Sequence, residues 1–158
     1  MSAAVLDRAG ILALVPHQGP MCLWDEVLEW DAQRIRLRAR NHTGAAHPLR
    51  VRGRLPAVAL CEYGAQAMAV HGGLLASAQG GRAAAGVLVA LRGIELAVAR
   101  LDDLYGALDG EAELLAAGEA SQQYAFRLLH EGRLLARGRA TAKLLASPES
   151  TAPPVAPL

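Results

Sequence analysis

Two stretches of the chain alternate polar and apolar residues at every second position. Between residues 34 and 40, Arg34, Arg36, Arg38 and Arg40 interleave with Ile35, Leu37 and Ala39. That is the period of a strand with one wet face and one apolar face. The preceding segment, MCLWDEVLEWD, reads as its partner strand, with a hairpin turning near Asp31–Gln33. Near the other end, Arg137, Arg139, Thr141 and Lys143 alternate with Gly138, Ala140 and Ala142. Upstream of that lie three more strand-like runs, VLVALRGIELAVARL, YGALDGEAELLAA and SQQYAFRLLH, the last closed by an EGR turn. The first of these is long for one strand, and Gly93 marks a bulge or bend in it. LDRAGILALVP reads as a short helix that Asp7 caps and Pro16 ends.

One segment follows neither alternation. LPAVALCEYGAQAMAVHGG, from Leu55 to about Gly73, is apolar almost all round, and Pro56 is placed for the first turn of a helix. GGLLASAQGGRAAAG breaks that helix. Before it, NHTGAAHPLRVRGR has no period and reads as a long loop, a kind of segment that is often functional. The order is a short helix, two strands, one long buried helix, then about four antiparallel strands. This is an α+β layer arrangement. An all-round apolar helix requires either that the sheet curve about it or that a second copy cover what remains. One domain is expected over residues 1–146, with a Pro- and Ser-rich, disordered tail over 147–158.

Composition narrows the class. The chain has 158 residues, 53% hydrophobic and 20% charged, which is a folded protein with a real core. A net charge of +1 and 4% aromatic residues give no field or stacking platform for nucleic acid. No stretch is long and apolar enough to span a membrane, and no secretory leader pattern opens the chain. Cys22 and Cys61 could pair, but two thiols in a chain this size read more readily as small buried hydrophobes in a reducing compartment, so a cytoplasmic location is expected.

The residues LVPHQGPMCLWDEVLEWD resemble the opening of hotdog-fold 3-hydroxyacyl-[acyl-carrier-protein] dehydratases. HPLRVRGRLPAVALCEYGAQAMAVHGG resembles their active-site loop and central helix, including the Glu-x-x-Ala-Gln step at Glu62–Gln66, and GVLVALRGIEL resembles the strand that follows. The likeness spans roughly residues 10 to 145. The nearest subset is that of aryl polyene and related clusters, with its His-Pro-Leu and Glu-Tyr steps. The resemblance implies a curved antiparallel sheet wrapped around one helix, and a dimer of hotdogs with sites between protomers. A loop histidine of one subunit then faces a helix glutamate of the other, over an acyl thioester on the phosphopantetheine arm of an acyl carrier protein. The pattern departs in three places. His47 is followed by Pro48 and Leu49 rather than by Phe-Pro, the His47-to-Glu62 spacing is one residue longer than usual, and Ala57 stands where Gly is typical.

Glu62 is the sharpest chemical signal. A carboxylate set among Ala, Val, Leu and Cys is costly to bury ionised, so it is expected to hold its proton and act as an acid. The blander alternative is a glutamate that reaches solvent or an arginine. His47, in the loop, is the candidate base for the proton next to the thioester carbonyl, with His42 as a rival. An exposed loop histidine is the alternative. Backbone N–H groups of Ala57 and Val58, at the helix start, would stabilise an enolate-like oxygen. Gln66, one turn after Glu62, would orient it or satisfy a buried backbone group. Tyr63 reads as packing or the wall of an acyl tunnel. His71 has no catalytic role, and His17 and His130 read as structural or surface residues. Arg50, Arg52 and Arg54 would dock an acidic carrier or grip its phosphate, against the alternative of a plain surface loop. No metal or cofactor motif is present in the sequence.

Three functions remain: a dehydratase, a hotdog thioesterase, or a non-catalytic hotdog subunit in a homodimer or heterodimer.

Overall fold

The computed structural model describes residues 4–83 and 86–145. The tail expected to be disordered lies outside the described residues. The elements in chain order are α1 (Arg8–Leu14), a 3-10 turn (Gly19–Met21), β1 (Glu26–Trp30), β2 (Arg34–Ala39), α2 (Ala59–Ala78), β3 (Gly86–Leu96), β4 (Leu108–Ala117), β5 (Ser121–His130) and β6 (Arg133–Leu144). All six strands join one antiparallel sheet in the order β1-β2-β4-β5-β6-β3. Helix α2 packs across it, chiefly on β4, β5 and β2. This is the hotdog arrangement: one curved sheet wrapped on one central helix.

Alternation dictates which face each strand buries. In β2, Ile35, Leu37 and Ala39 are buried against the helix while Arg34 and Arg36 face water. The hairpin turns where Asp31 Oδ1 accepts from the N–H groups of Gln33 and Arg34, at 2.8 and 2.9 Å. Asp7 Oδ1 accepts from Gly10 N at 3.0 Å and caps α1. At Gly93, φ is +60° and the β3–β6 register slips between Arg92 and Glu95, the bulge the sequence suggested.

The central helix differs from its expected bounds at both ends. It starts at Ala59 rather than Leu55, because Pro56 is captured in an antiparallel bridge with Arg100. Leu55 O accepts from Leu101 N at 2.9 Å, and Ala57 N donates to Ala99 O at 3.0 Å. It continues past Gly72–Gly73 to Ala78. Gly73 does not break it; it lets α1 come close. A Cβ there would sit 3.0 Å from Leu14 Cβ and 3.1 Å from its carbonyl oxygen. The stop is set by Gly80, at φ +78°, just beyond the last turn.

The two sheet edges are unlike. β1 is covered by the N-terminal segment, where Val27 N donates to Leu6 O and Val5 N to Val27 O, both 2.9 Å. Among the described residues, β3 pairs with β6 alone and shows Val87, Leu88, Val89, Leu91 and Leu96 to solvent. An open edge lined with aliphatic side chains is a template for another chain.

Candidate active site

The loop between β2 and α2 is built by its own hydrogen bonds. Arg50 folds back and donates to the carbonyls of Gly44 (2.8 Å), Gly53 (2.6 Å) and Thr43 (3.0 Å). Val51 and Arg54 close a two-residue turn in which Arg52 and Gly53 both have positive φ, +52° and +76°. Arg50 is therefore a clamp of the loop and not a free docking group, which corrects one of the three arginines expected to meet a carrier. Arg52 and Arg54 are exposed and form no ion pair among the described residues.

This clamp presents His47 inward. Only 8% of the residue is exposed. Its Nδ1 accepts from Leu49 N at 3.1 Å, and its Nε2 lies 2.9 Å from the Tyr63 hydroxyl. That hydroxyl donates to Asn41 Oδ1 at 2.7 Å, while Asn41 Nδ2 donates to Leu23 O at 3.0 Å. The directions are thereby settled. Tyr63 has one proton and gives it to Asn41, so His47 donates from Nε2 and carries its lone pair at Nδ1. Burial holds the His47 imidazole below its ordinary range, with smaller contributions from Arg50 and His42. Burial likewise pushes the Tyr63 phenol well above its usual value, so it stays protonated. Tyr63 is thus not a tunnel wall; it is the buried link between the loop and the helix. Nothing in local spacing announces this, because Asn41, His47 and Tyr63 meet only in the fold.

Glu62 stands on the neighbouring side of α2. Its Oε1 accepts from Gln66 Nε2 at 3.0 Å. Gln66 itself is fixed, donating to Met21 O at 2.8 Å and accepting from Leu23 N at 2.9 Å. Gln66 thus bonds the Glu62 carboxyl and two backbone groups at once. Glu62 lines a cleft of about 320 Å³ with Leu49, Val51, Pro56, Val58, Leu88 and Leu91. Its side chain is 35% exposed. The expectation of a fully sheltered acid is corrected to that extent: within one chain the cleft is open, because its outer wall belongs to the uncovered β3 edge. His17 Nε2 lies 3.8 Å from Glu62 Oε1, so the histidine expected to be a structural or surface residue is a neighbour of the carboxyl.

Other expected groups fall out differently. The Ala57 N–H is spent on Ala99 O, so it is not free to bind an oxyanion. The Val58 N–H has no partner among the described residues, and Val58 is exposed at the start of α2. His42 is fully buried with Nε2 on the Leu104 carbonyl and does not line the cleft. His71 is buried between the Tyr124 hydroxyl and the Asp31 carbonyl, at 2.6 and 2.8 Å. No hydrogen bond or ion pair joins His47 to Glu62 among the described residues of one chain. Cys22 and Cys61 are unpaired and buried, and burial raises both thiols.

A larger depression of about 470 Å³ lies on the outer sheet face. Its charges already satisfy one another, as in Arg36–Glu29 at 3.0 Å and Arg127–Glu111 at 3.2 Å. It is a solvated ladder of cross-strand pairs. Among the described residues no helix is long and apolar enough to cross a membrane. No group of three His, Cys, Asp or Glu residues there is placed to hold a metal ion.

A family model described as ApeP-like, ApeP dehydratase, matches residues 9–150. No curated protein sequence matches the chain. Several solved structures share its fold. A chain of the dehydratase heterocomplex ApeI:P from Xenorhabdus doucetiae is 22% identical with a TM-score of 0.76, over 86% of this chain and 91% of that one. A candidate thioesterase from Silicibacter sp. TM1040 is 19% identical with a TM-score of 0.62, over 92% and 96%. A hypothetical thioesterase of Streptococcus pneumoniae TIGR4, solved with coenzyme A, is 15% identical with a TM-score of 0.57, over 77% and 85%.

Proposed function

The chain belongs to the ApeP-like family of dehydratases and is a lyase, and from this premise we propose that it removes water from a 3-hydroxyacyl thioester carried by an acyl carrier protein. The product is the 2-enoyl thioester, in biosynthesis of the aryl polyene type, in the cytoplasm. The observation that carries this reading is Glu62: one carboxyl oxygen is anchored by Gln66, and the other has no partner among the described residues, at the wall of an apolar cleft.

Dehydration requires a base at the α-carbon and an acid at the β-hydroxyl. Glu62 is the acid: it gives a proton to the departing hydroxyl and is left as carboxylate. As the α-proton leaves, charge grows on the thioester oxygen, and the free Val58 N–H at the start of α2 is the donor available to it. The aliphatic walls of Leu49, Val51, Leu88 and Leu91 suit an acyl chain. Arg52 and Arg54 stand exposed on the loop that carries Val51, suited to the phosphate of the arm or an acidic carrier. A second hotdog subunit laid along β3 would close the cleft and bring its own loop histidine opposite Glu62.

His47 is the base of this scheme. In the resting chain its lone pair sits at Nδ1 and accepts from Leu49, so substrate must displace that amide to be deprotonated there. The occupancy of both ring nitrogens favours a second reading. In it, His47 fixes the loop, and the imidazole facing Glu62 comes from a non-identical hotdog partner, as in a heterocomplex.

The test is incubation of the chain, alone and with co-encoded hotdog proteins, with a 3-hydroxyacyl carrier and a mass readout. Loss of water that vanishes in both Glu62→Gln and His47→Ala supports the first reading. Loss of water that needs a partner, and vanishes in Glu62→Gln but survives in His47→Ala, supports the second. Release of free acid would make the chain a thioesterase. No turnover with any partner would leave a non-catalytic subunit.

A further inference from the structure

We infer that His17 is a positioning residue for Glu62, deciding which of its oxygens carries the proton. The inference rests on the proposed role of Glu62 as the acid. Two N–H-bearing side chains converge on the same atom: Gln66 Nε2 is 3.0 Å from Glu62 Oε1, and His17 Nε2 is 3.8 Å from it. The other ring nitrogen of His17, Nδ1, is buried with no partner among the described residues. An N–H placed there would have nothing to donate to, a worse arrangement than a bare lone pair. The ring proton therefore sits on Nε2 and points at Glu62.

At 3.8 Å the contact is longer than a hydrogen bond. At that distance the N–H dipole still acts on the carboxyl through space, with or without substrate. With two donors on Oε1, that oxygen becomes the carbonyl of the acid, and the proton is confined to Oε2. No protein group bonds Oε2 among the described residues. The proton thus lies on the oxygen free to meet a leaving hydroxyl. The titratable groups beside Glu62 are His17, from the segment after α1, and Cys61, which shares the cleft wall.

The experiment follows the Glu62 carboxyl by carbon-13 NMR titration in glutamate-labelled full-length protein without substrate, assigned with Glu62→Gln. His17→Ala removes a donor that favours the charged form, so the Glu62 titration moves upward; His17→Gln, which keeps an N–H, restores it. In turnover, His17→Ala lowers kcat about tenfold with KM held, and His17→Gln recovers it. His17→Phe keeps the ring volume and carries the same expectation as alanine should that variant not fold. A Glu62 titration identical in wild type and in the variants lacking the donor overturns the proposal. Because the titration needs no substrate, it separates the two ideas. A shift in a protein that never dehydrates its carrier substrate would sink the function and leave the His17–Glu62 link standing.

Discussion

Tyr63→Phe probes the hydrogen-bond chain that holds the His47 loop on the helix. The substitution deletes one oxygen from a residue with no solvent exposure. Two partners lose their bond: His47 Nε2 at 2.9 Å and Asn41 Oδ1 at 2.7 Å. Leaving a buried polar group unpaired costs about 1–3 kcal/mol each. Asn41 is only partly buried and water recovers some of its share. The net loss is therefore about 2–3 kcal/mol, toward the low end of the sum. With a urea slope of about 2 kcal/mol per molar, the unfolding midpoint falls by about 1 M at unchanged slope. Trp24 is the natural reporter. Its ring meets Tyr63 edge-on at 5.4 Å, and its Nε1 donates to the Tyr63 carbonyl at 2.9 Å. Wild type and variant are compared at one protein concentration, because association also adds stability. A midpoint shift worth under about 0.5 kcal/mol, the size of an ordinary surface change, would refute the network.

Two further outcomes follow. Burial depresses the imidazoles of His42, His47 and His71, so on acidification the unfolded chain takes up protons before the folded one does. This contribution to stability is complete above the ordinary histidine value of about 6.5 and is lost as pH falls below it, at up to about 1.4 kcal/mol per pH unit per histidine. Urea midpoints that stay flat between about pH 7.5 and 5 would contradict it. The loop arginines separate by role: Arg52→Ala with Arg54→Ala raises KM for a carrier-bound substrate about tenfold, with a weaker dependence on salt, and leaves stability unchanged. Arg50→Ala instead lowers the melting temperature, because three carbonyls lose their donor; the reverse pattern would overturn that division.

What the sequence disclosed was local. The arginine alternation placed β2 and its buried face, Gly93 placed the bulge, and Asp7 placed the cap of α1. What it concealed was set by distant chain. Leu55–Ala57 has the composition to begin a helix, yet Ala99–Leu101 pairs with it, and that pairing also consumes the Ala57 N–H. Gly72–Gly73 has the look of a break, yet the close approach of Leu14 makes use of it. Glu62, His47 and Gln66 were legible as chemical types in a telling place. The neighbours that give them direction, Tyr63, Asn41 and His17, come together only by tertiary contact. The exposure of Glu62 is not legible in the sequence, because apolar flanks along a helix do not reveal whether a wall faces the chain's own core or an uncovered edge.

The amide of Gln66 touches three places at once: the acid one turn before it, and the chain at Met21 and at Leu23. A single planar group cannot follow all three if they separate. The segment that carries Met21 and Leu23, though remote in sequence from Glu62, is thereby a mechanical component of the proposed chemistry. Loosening that segment by an ångström must either drag the carboxyl with it or snap a bond to backbone, so the chain is expected to lose turnover before it loses shape.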